Sequence, residues 1–429
     1  MSNRFITAVQ VVALAALAPM SAIAAPEYPD TVMIPERAVV IGADRKDAPA
    51  DLIAVLYSTE NLDFQDPRAP RFLFLDRKGK IALGIGGYVK GTMAYDFHGS
   101  MDDGGSTTYD IAVPSDPAMR NKFHMDASHS TLFLKMVGRS SRLGLFTVYL
   151  QTNFTGSNGG YGMKLKQAYV QLGYVTAGLA RSSFDDSAAP PTIDAQGPSG
   201  AVSSKAVLLQ YAPKLSDKWR CAISIENPTA DYTCTAGQNE PISQRCPDIP
   251  AYVQYSWDGD SHVRLSGVFR QLSYRNMLSS ENHFATGWGV QLSGQALFGP
   301  GFTFYYGCGY GKGIARFMND LGGQGFDLIA QGQDGAMKAP ATLGFTTGLQ
   351  YDFSSRFFAS ASYSQCRLYG QASLGADTYR YGQYFVANAF YTIIPDCMLG
   401  IEYNYGSRTD CSGMRGSANR IYAAIQYSF

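Results

Sequence analysis

The side chains best able to do chemistry in this sequence are cations set at alternating positions. Lys90, Lys135, Arg181, Arg220, Arg264, Arg270 and Arg420 fall, by period-two alternation, on the polar face of their segments, with Arg367 and Arg380 nearer segment ends. Acids on that face are fewer: Asp96, Glu226 and Glu402. The chemistry they could do is non-covalent. A guanidinium presents a planar fork that matches a carboxylate, and a low-dielectric wall focuses such charges onto a passing solute. One stretch that lacks alternation could face them. It runs from Arg181 to Gly200, carries Phe184, Asp185, Asp186 and Asp194, is stiffened by Pro190, Pro191 and Pro198, and ends in Gly197 and Gly200. Such a rigid loop suits a lumen constriction. Two outcomes are open: a weak preference for anions, or an arginine ladder that pairs with the loop acids without net selectivity.

Bond-making chemistry has little support. Nucleophilic hydrolysis needs a Ser with a positioned His and a third polar group, no Gly-x-Ser-x-Gly occurs, and His129 and Ser130, as neighbours, project to opposite faces of a strand. The five His are scattered and there is no Cys-x-x-Cys, so neither a metal nor a cofactor is expected. Seven Cys in an exported chain leave at least one unpaired, and Cys234 with Cys246 in one polar stretch allows a local disulfide.

The elements that position the cations are strands. In the last segment Ile421, Ala423, Ile425, Tyr427 and Phe429 alternate with Arg420, Tyr422, Ala424, Gln426 and Ser428, and from Lys80 onward Ile81, Leu83, Ile85, Val89, Met93, Tyr95 and Phe97 do the same. Burying Lys90 and Asp96 in a dry core would cost several kcal/mol unless each found a partner. A wet lumen removes that cost. Tight turns at 138–141, 213–217, 258–260, 298–301, 354–356 and 393–396 alternate with longer excursions at 98–120, 155–162, 183–202, 228–248, 274–283, 312–341, 369–379 and 406–416. The expectation is an all-β transmembrane antiparallel barrel of about sixteen strands over 80–429, wide enough to hold water. Aromatic pairs at strand ends, such as Tyr255 with Trp257 and Phe302 with Phe304, suit interfacial girdles.

Arg4, the apolar run Val9 to Leu17, and Ala22-Ile23-Ala24 make residues 1–24 an expected signal peptide. Residues 25–79 form an expected periplasmic leader, partly ordered, with a possible helix over Asp51 to Tyr57. Charge is low, at 16%, and balanced, which argues against a nucleic-acid partner. Acidic external residues such as Asp102-Asp103 could meet calcium or lipopolysaccharide, though a solvated loop is the plainer reading.

The Ser183-Phe184 approach, Asp186, the Pro191-x-x-Asp194 step and Gly197-Pro198-x-Gly200 resemble the DcaP-like outer-membrane porins. That resemblance implies a trimeric sixteen-strand channel in the outer membrane of a Gram-negative-type bacterium, embedded in lipid and lipopolysaccharide and passing small anionic solutes such as dicarboxylates. Two departures bear on pore size and on the trimer's periplasmic part: Ala195 stands where the family pattern has an aromatic, and the leader lacks heptads for a helical stalk. Gly84 and Gly86 are small enough to permit close approach of a neighbour. The competing readings are a plugged structural or adhesive barrel, an outer-membrane hydrolase, and a soluble β-helix or sandwich.

Overall fold

A computed structural model describes residues 34–42, 48–59, 62–101, 105–141, 144–156 and 161–429. The expected signal peptide and Asp102-Asp103 lie outside the described residues. Alternation is clearest in the strand His262–Asn276: His262, Arg264, Ser266, Val268 and Arg270 are buried, while Leu265 and Phe269 are exposed. The charged face is the covered one, the reverse of a soluble sheet and the arrangement of a membrane-embedded cylinder with a polar interior.

Twenty strands form the main sheet. Sixteen are its staves: β1 Ile81–His98, β2 Thr131–Ser140, β3 Gly144–Asn153, β4 Lys164–Leu172, β5 Val175–Arg181, β6 Lys205–Tyr211, β7 Trp219–Glu226, β8 Ile249–Ser256, β9 His262–Asn276, β10 Glu281–Phe298, β11 Phe302–Lys312, β12 Ala341–Ser354, β13 Phe357–Tyr369, β14 Tyr379–Ile394, β15 Cys397–Asp410 and β16 Arg415–Ser428. Each pairs antiparallel with the next, and β16 pairs with β1 from Asn419↔His98 to Ser428↔Tyr88, which closes the barrel. Phe429 completes the seam by exchanging backbone hydrogen bonds with Gly87, at 2.8 and 2.9 Å.

Two expected long excursions are shorter than their polar composition suggested. β9 and β10 are joined by 277–280, and β15 and β16 by 411–414, because the flanking polar residues continue the ladder through Arg275↔Asn282 and Thr409↔Arg415. Between the excursion that begins after β1 and the tight turn at 138–141 the chain forms two strands, not one: Lys122–Asp126 and Thr131–Ser140 both pair with β1, with a turn between them. The aromatics gather at the short-turn ends. Phe298, Phe302, Tyr351, Phe353 and Phe357 form a contiguous chain of ring contacts with centroids 4.4–5.4 Å apart, and Trp219, Tyr255 and Trp257 form another.

The leader is built into the cylinder. Its helix α1, Ala50–Tyr57, follows Pro49, which pre-sets the entry dihedral, and buries Leu52, Ile53 and Leu56. These pack on the inward Ala82 and Val137 and on Leu73 and Leu75. Phe72–Leu75 pairs with the stretch of β1 that β16 does not reach, Ala82 to Ile85, and Val39–Ile41 pairs parallel with it in turn. Gly84 and Gly86 serve this packing rather than a neighbouring copy. A Cβ on Gly84 would meet Pro70 at 2.7 Å, and one on Gly86 would meet the Phe429 carbonyl oxygen at 2.7 Å and the Pro70 Cα at 2.9 Å.

Gly86→Val therefore has no room to be relieved, and overpacking of this kind costs about 1–3 kcal/mol. We expect a reduced yield of the compact, heat-modifiable form on semi-native gels. Gly91→Ala, whose Cβ would meet only Ile425 at 3.7 Å, should match the unsubstituted protein.

Candidate functional site: a strapped lumen

Residues 182–204, between β5 and β6, cross the interior. Their partners lie on β9, β10, β13, β14 and β15, an arc that a loop rising from β5 can reach only through the lumen. The path is fixed by backbone chemistry. Glu402 on β15 accepts the amides of Ile193 (2.6 Å) and Asp194 (3.1 Å), and Asn388 on β14 donates to the Pro191 carbonyl (2.7 Å). Ser364 on β13 accepts the Gly200 amide at 3.2 Å. Pro190 and Gly200 lie where the wall is thinned by glycine: a Cβ on Gly348 would sit 2.8 Å from Pro190, and one on Gly344 2.5 Å from the Gly200 oxygen.

The loop carboxylates turn into this framework. Asp186 accepts from Ser293 Oγ (2.7 Å), lies 3.2 Å from His262 Nε2 and 3.8 Å from Arg264 Nη1. Burial opposes its ionisation, yet Arg264, His262 and Ser293 together hold it well below the usual carboxylate range. Asp194 accepts from Tyr384 Oη (2.6 Å) and from the Ser106 amide (3.0 Å). Asp185 accepts from the Ser204 amide (2.9 Å) and from Arg181 Nη1 (3.1 Å). Burial pushes its carboxyl up to about 6 despite Arg181, because that guanidinium is shared with two further acids. Phe184 is fully buried and meets Phe317 edge-on, with ring centroids 5.2 Å apart.

Lys90, Lys135, Arg220, Arg264, Arg270 and Arg420 are on the inward face where alternation placed them, but most are engaged. Arg367 is not: the buried phase of β13 is Ser360, Ser362, Ser364, Cys366 and Leu368, so Arg367 falls on the opposite face and stacks over the Tyr369 and Tyr381 rings. Lys90 Nζ donates to the Ile193 carbonyl (2.9 Å) and to Gln65 (3.1 Å). Lys135 donates to the Ser58 carbonyl at 3.4 Å. Arg264 donates to Gln254 and to the Asp185 carbonyl and stacks over the Tyr252 ring. Arg270, fully buried, pairs with Asp248 and Asp327, both at 3.1 Å. Arg420 is bidentate to Asp96, at 2.6 and 2.8 Å. Arg220 lines a cavity of about 730 Å³ that also borders the loop at Ser187 to Ala189.

Three contributors were not read from the sequence. Residues 62–71 of the leader run through the lumen: Phe64 packs against Phe358 and Phe390, and Asp63 and Asp66 accept from Arg181 Nη2 at 2.7 and 3.2 Å. Lys205, at the start of β6, is 3.9 Å from Asp66. Lys166 is the bulged residue where Gln151 and Thr152 face Gln167 and Leu165, so it breaks the alternation that would have flagged it. A further set closes the outer side. Residues 313–340 pack Ile314, Phe317 and Met318 against Phe184 and Val202, and Asp320 accepts the Thr108 amide at 2.6 Å. Cys234 and Cys246 stand as separate thiols: Cys234 packs toward Leu272 and Tyr274, whereas Cys246 Sγ approaches Gln271 Oε1 at 2.6 Å. Among the described residues no group of His, Cys, Asp and Glu could hold a metal ion.

The arrangement can exclude by size and sort by charge, since a fixed loop and a strap leave a narrowed, polar passage. Comparison with known proteins agrees with that geometry. The family model described as "Porin subfamily" matches residues 82–425. No curated protein sequence matches. Among solved structures the outer membrane channel DcaP of Acinetobacter baumannii is similar at a TM-score of 0.72 with 18% identity, covering 83% of this chain and 99% of that one. The anion-selective porin from Comamonas acidovorans gives 0.51 with 11% identity, covering 82% and 100%, and the outer-membrane expressed OmpT of Vibrio cholerae gives 0.51 with 11%, covering 82% and 98%.

Loop anchoring can be tested at Glu402 and Tyr384. Glu402→Ala leaves two loop amides without their acceptor, and each unsatisfied buried group costs about 1–3 kcal/mol. We expect frequent current fluctuations in single-channel recordings, with Tyr384→Phe showing a milder form.

Proposed function

Because the chain belongs to the porin subfamily and is an outer-membrane barrel, we propose that it is a passive diffusion channel for small hydrophilic solutes with a preference for anions such as dicarboxylates. One observation carries the preference. The loop acids Asp185, Asp186 and Asp194 are only 1%, 6% and 2% exposed, whereas the Lys205 side chain keeps 22% of its surface open. A solute therefore meets Lys205 more readily than the carboxylates of the constriction loop. Lys166 lies within electrostatic range of Lys164 and Lys205, so the basic patch spans β4 and β6. Such a patch raises the local concentration of counter-ions. The anion-selective porin among the similar structures fits this reading.

No cofactor enters, since movement down a gradient needs none, and no catalytic role is assigned. We infer that the leader enters the cylinder from the periplasmic side, with residues 62–71 inside the lumen. The assembly is proposed to be a homotrimer, in keeping with the DcaP-like fold, and light scattering of the detergent-solubilised protein would give three copies. A plugged barrel is the second reading, favoured by the strap at residues 62–71. Absence of stepwise conductance in planar bilayers would decide for it.

Reversal potentials under a salt gradient test selectivity. The unsubstituted channel should favour chloride over potassium, and Lys166→Gln with Lys205→Gln should lower that ratio by about threefold, on the scale expected of focused lumen charge. Clear cation preference in the unsubstituted channel overturns the proposal. The pH dependence has a defined sign: Asp185, raised to about 6, takes up a proton as pH falls from 7 to 5, removing one negative charge from the basic patch. Chloride preference should therefore strengthen over that interval.

A further inference from the structure

We propose that Arg181 and Lys205 form a carboxylate-binding site in the lumen that the chain fills in cis, with Asp63 and Asp66 of its own leader standing where the two carboxylates of a small dianion would bind. This rests on the anion-channel reading above.

The geometry is that of a ligand on a receptor. Arg181 divides its donors: Nη1 goes to Asp185 of the constriction loop, and Nη2 goes to Asp63 (2.7 Å) and Asp66 (3.2 Å) of the strap. Asp66 also accepts from Gln151 (3.2 Å) and faces Lys205 (3.9 Å), and it is 5% exposed. Burial of Asp63 disfavours its charge, but Arg181 and Lys205 outweigh this and hold its carboxyl below the ordinary range. The two acids are pre-set by their own turn, in which Asp63 accepts the amides of Gln65 (2.9 Å) and Asp66 (3.0 Å).

Apart from Arg181, the strap is held by Phe64, by Gln65, whose Nε2 also donates to the Asp194 carbonyl at 3.4 Å, and at its end by Arg71, which donates to Asp396 at 3.2 Å. The apolar anchor is Phe64 between Phe358 and Phe390, at centroid distances of 6.0 and 4.9 Å. Gln65 supplies polar ties, accepting from Lys90 Nζ (3.1 Å) and, through its carbonyl, from Tyr88 Oη (2.8 Å). It pairs with no barrel strand until Phe72. Asp63 and Asp66 also border the cavity of about 730 Å³, so a solute in that space reaches the strap before it reaches Arg181. A tethered ligand of this kind acts at an effective concentration of order millimolar. Free dicarboxylates must then compete with it, and the strap sets a threshold below which the site stays closed to them.

The test uses the full mature protein in planar bilayers with succinate as probe, reading the concentration that halves the chloride conductance. Asp63→Asn with Asp66→Asn should lower that concentration about tenfold, the scale expected when a tethered competitor is removed. Phe64→Ala, which loosens the strap without touching a charge, should move it the same way, and it decides the matter if the Asn pair does not assemble. Arg181→Gln should abolish the succinate effect. If the unsubstituted channel prefers chloride but both strap variants respond to succinate as it does, the cis occupancy is wrong and the channel reading stands. If the unsubstituted channel prefers cations, both fall together.

Discussion

A cylinder of sixteen strands is too wide for wall side chains to reach one another across it, and this one carries charge on its inner face. A buried cation that lacks a partner on the neighbouring strand, unlike Arg420 with Asp96, needs one brought in from elsewhere, since an unpaired charge away from water is costly. The structure meets this with two crossing segments. The loop at 182–204 answers Lys90, Arg264 and Arg181 with a carbonyl or a carboxylate, and the strap at 62–71 answers Nη2 of Arg181 and, at longer range, Lys205. Constriction and stability are thus one interaction network. The shape of the passage is set by which charges had to be neutralised.

The outer side follows the same logic with different pieces. Arg270 pairs with Asp248 and Asp327, and Arg316 joins through Asp248 at 2.8 Å, which ties the excursions 227–248 and 313–340 to β9. Around this network sit Phe317, Ile329 and Leu368, fully buried, a dry shell that strengthens each ion pair by excluding water. These two excursions are therefore part of a packed layer.

The barrel was legible because its signal is periodic. Segments such as His262 to Arg270 keep their alternation, and a wall that separates two solvents requires it. The carboxylates and prolines of 182–204 stood out because they interrupt that rhythm. What could not be read was contact between distant segments. Nothing in the spacing of Asp63 and Asp66 points to Arg181, and the prolines at 67 and 70 suit a solvated tail as well as a lumen strap. Lys166 was hidden for the opposite reason: a one-residue bulge shifts it out of phase. Cations such as Lys90 and Arg264 were placed on the correct face and Arg367 was not, while part of their engagement depends on partners more than a hundred positions away, as with Lys90 and Ile193 or Arg181 and Asp63. Local pattern carries no information about that.

The seam between β1 and β16 carries a consequence for assembly. β16 ends at Phe429 against Gly87, and the β1 residues Ala82 to Ile85 are left to a short strand from the amino-terminal side. Phe72–Leu75 and β16 thus share one edge, with Pro70 wedged beside the Phe429 carbonyl. Cylinder closure and seating of the segment that precedes β1 are mutually dependent, so neither edge of the seam is satisfied until both have docked on β1.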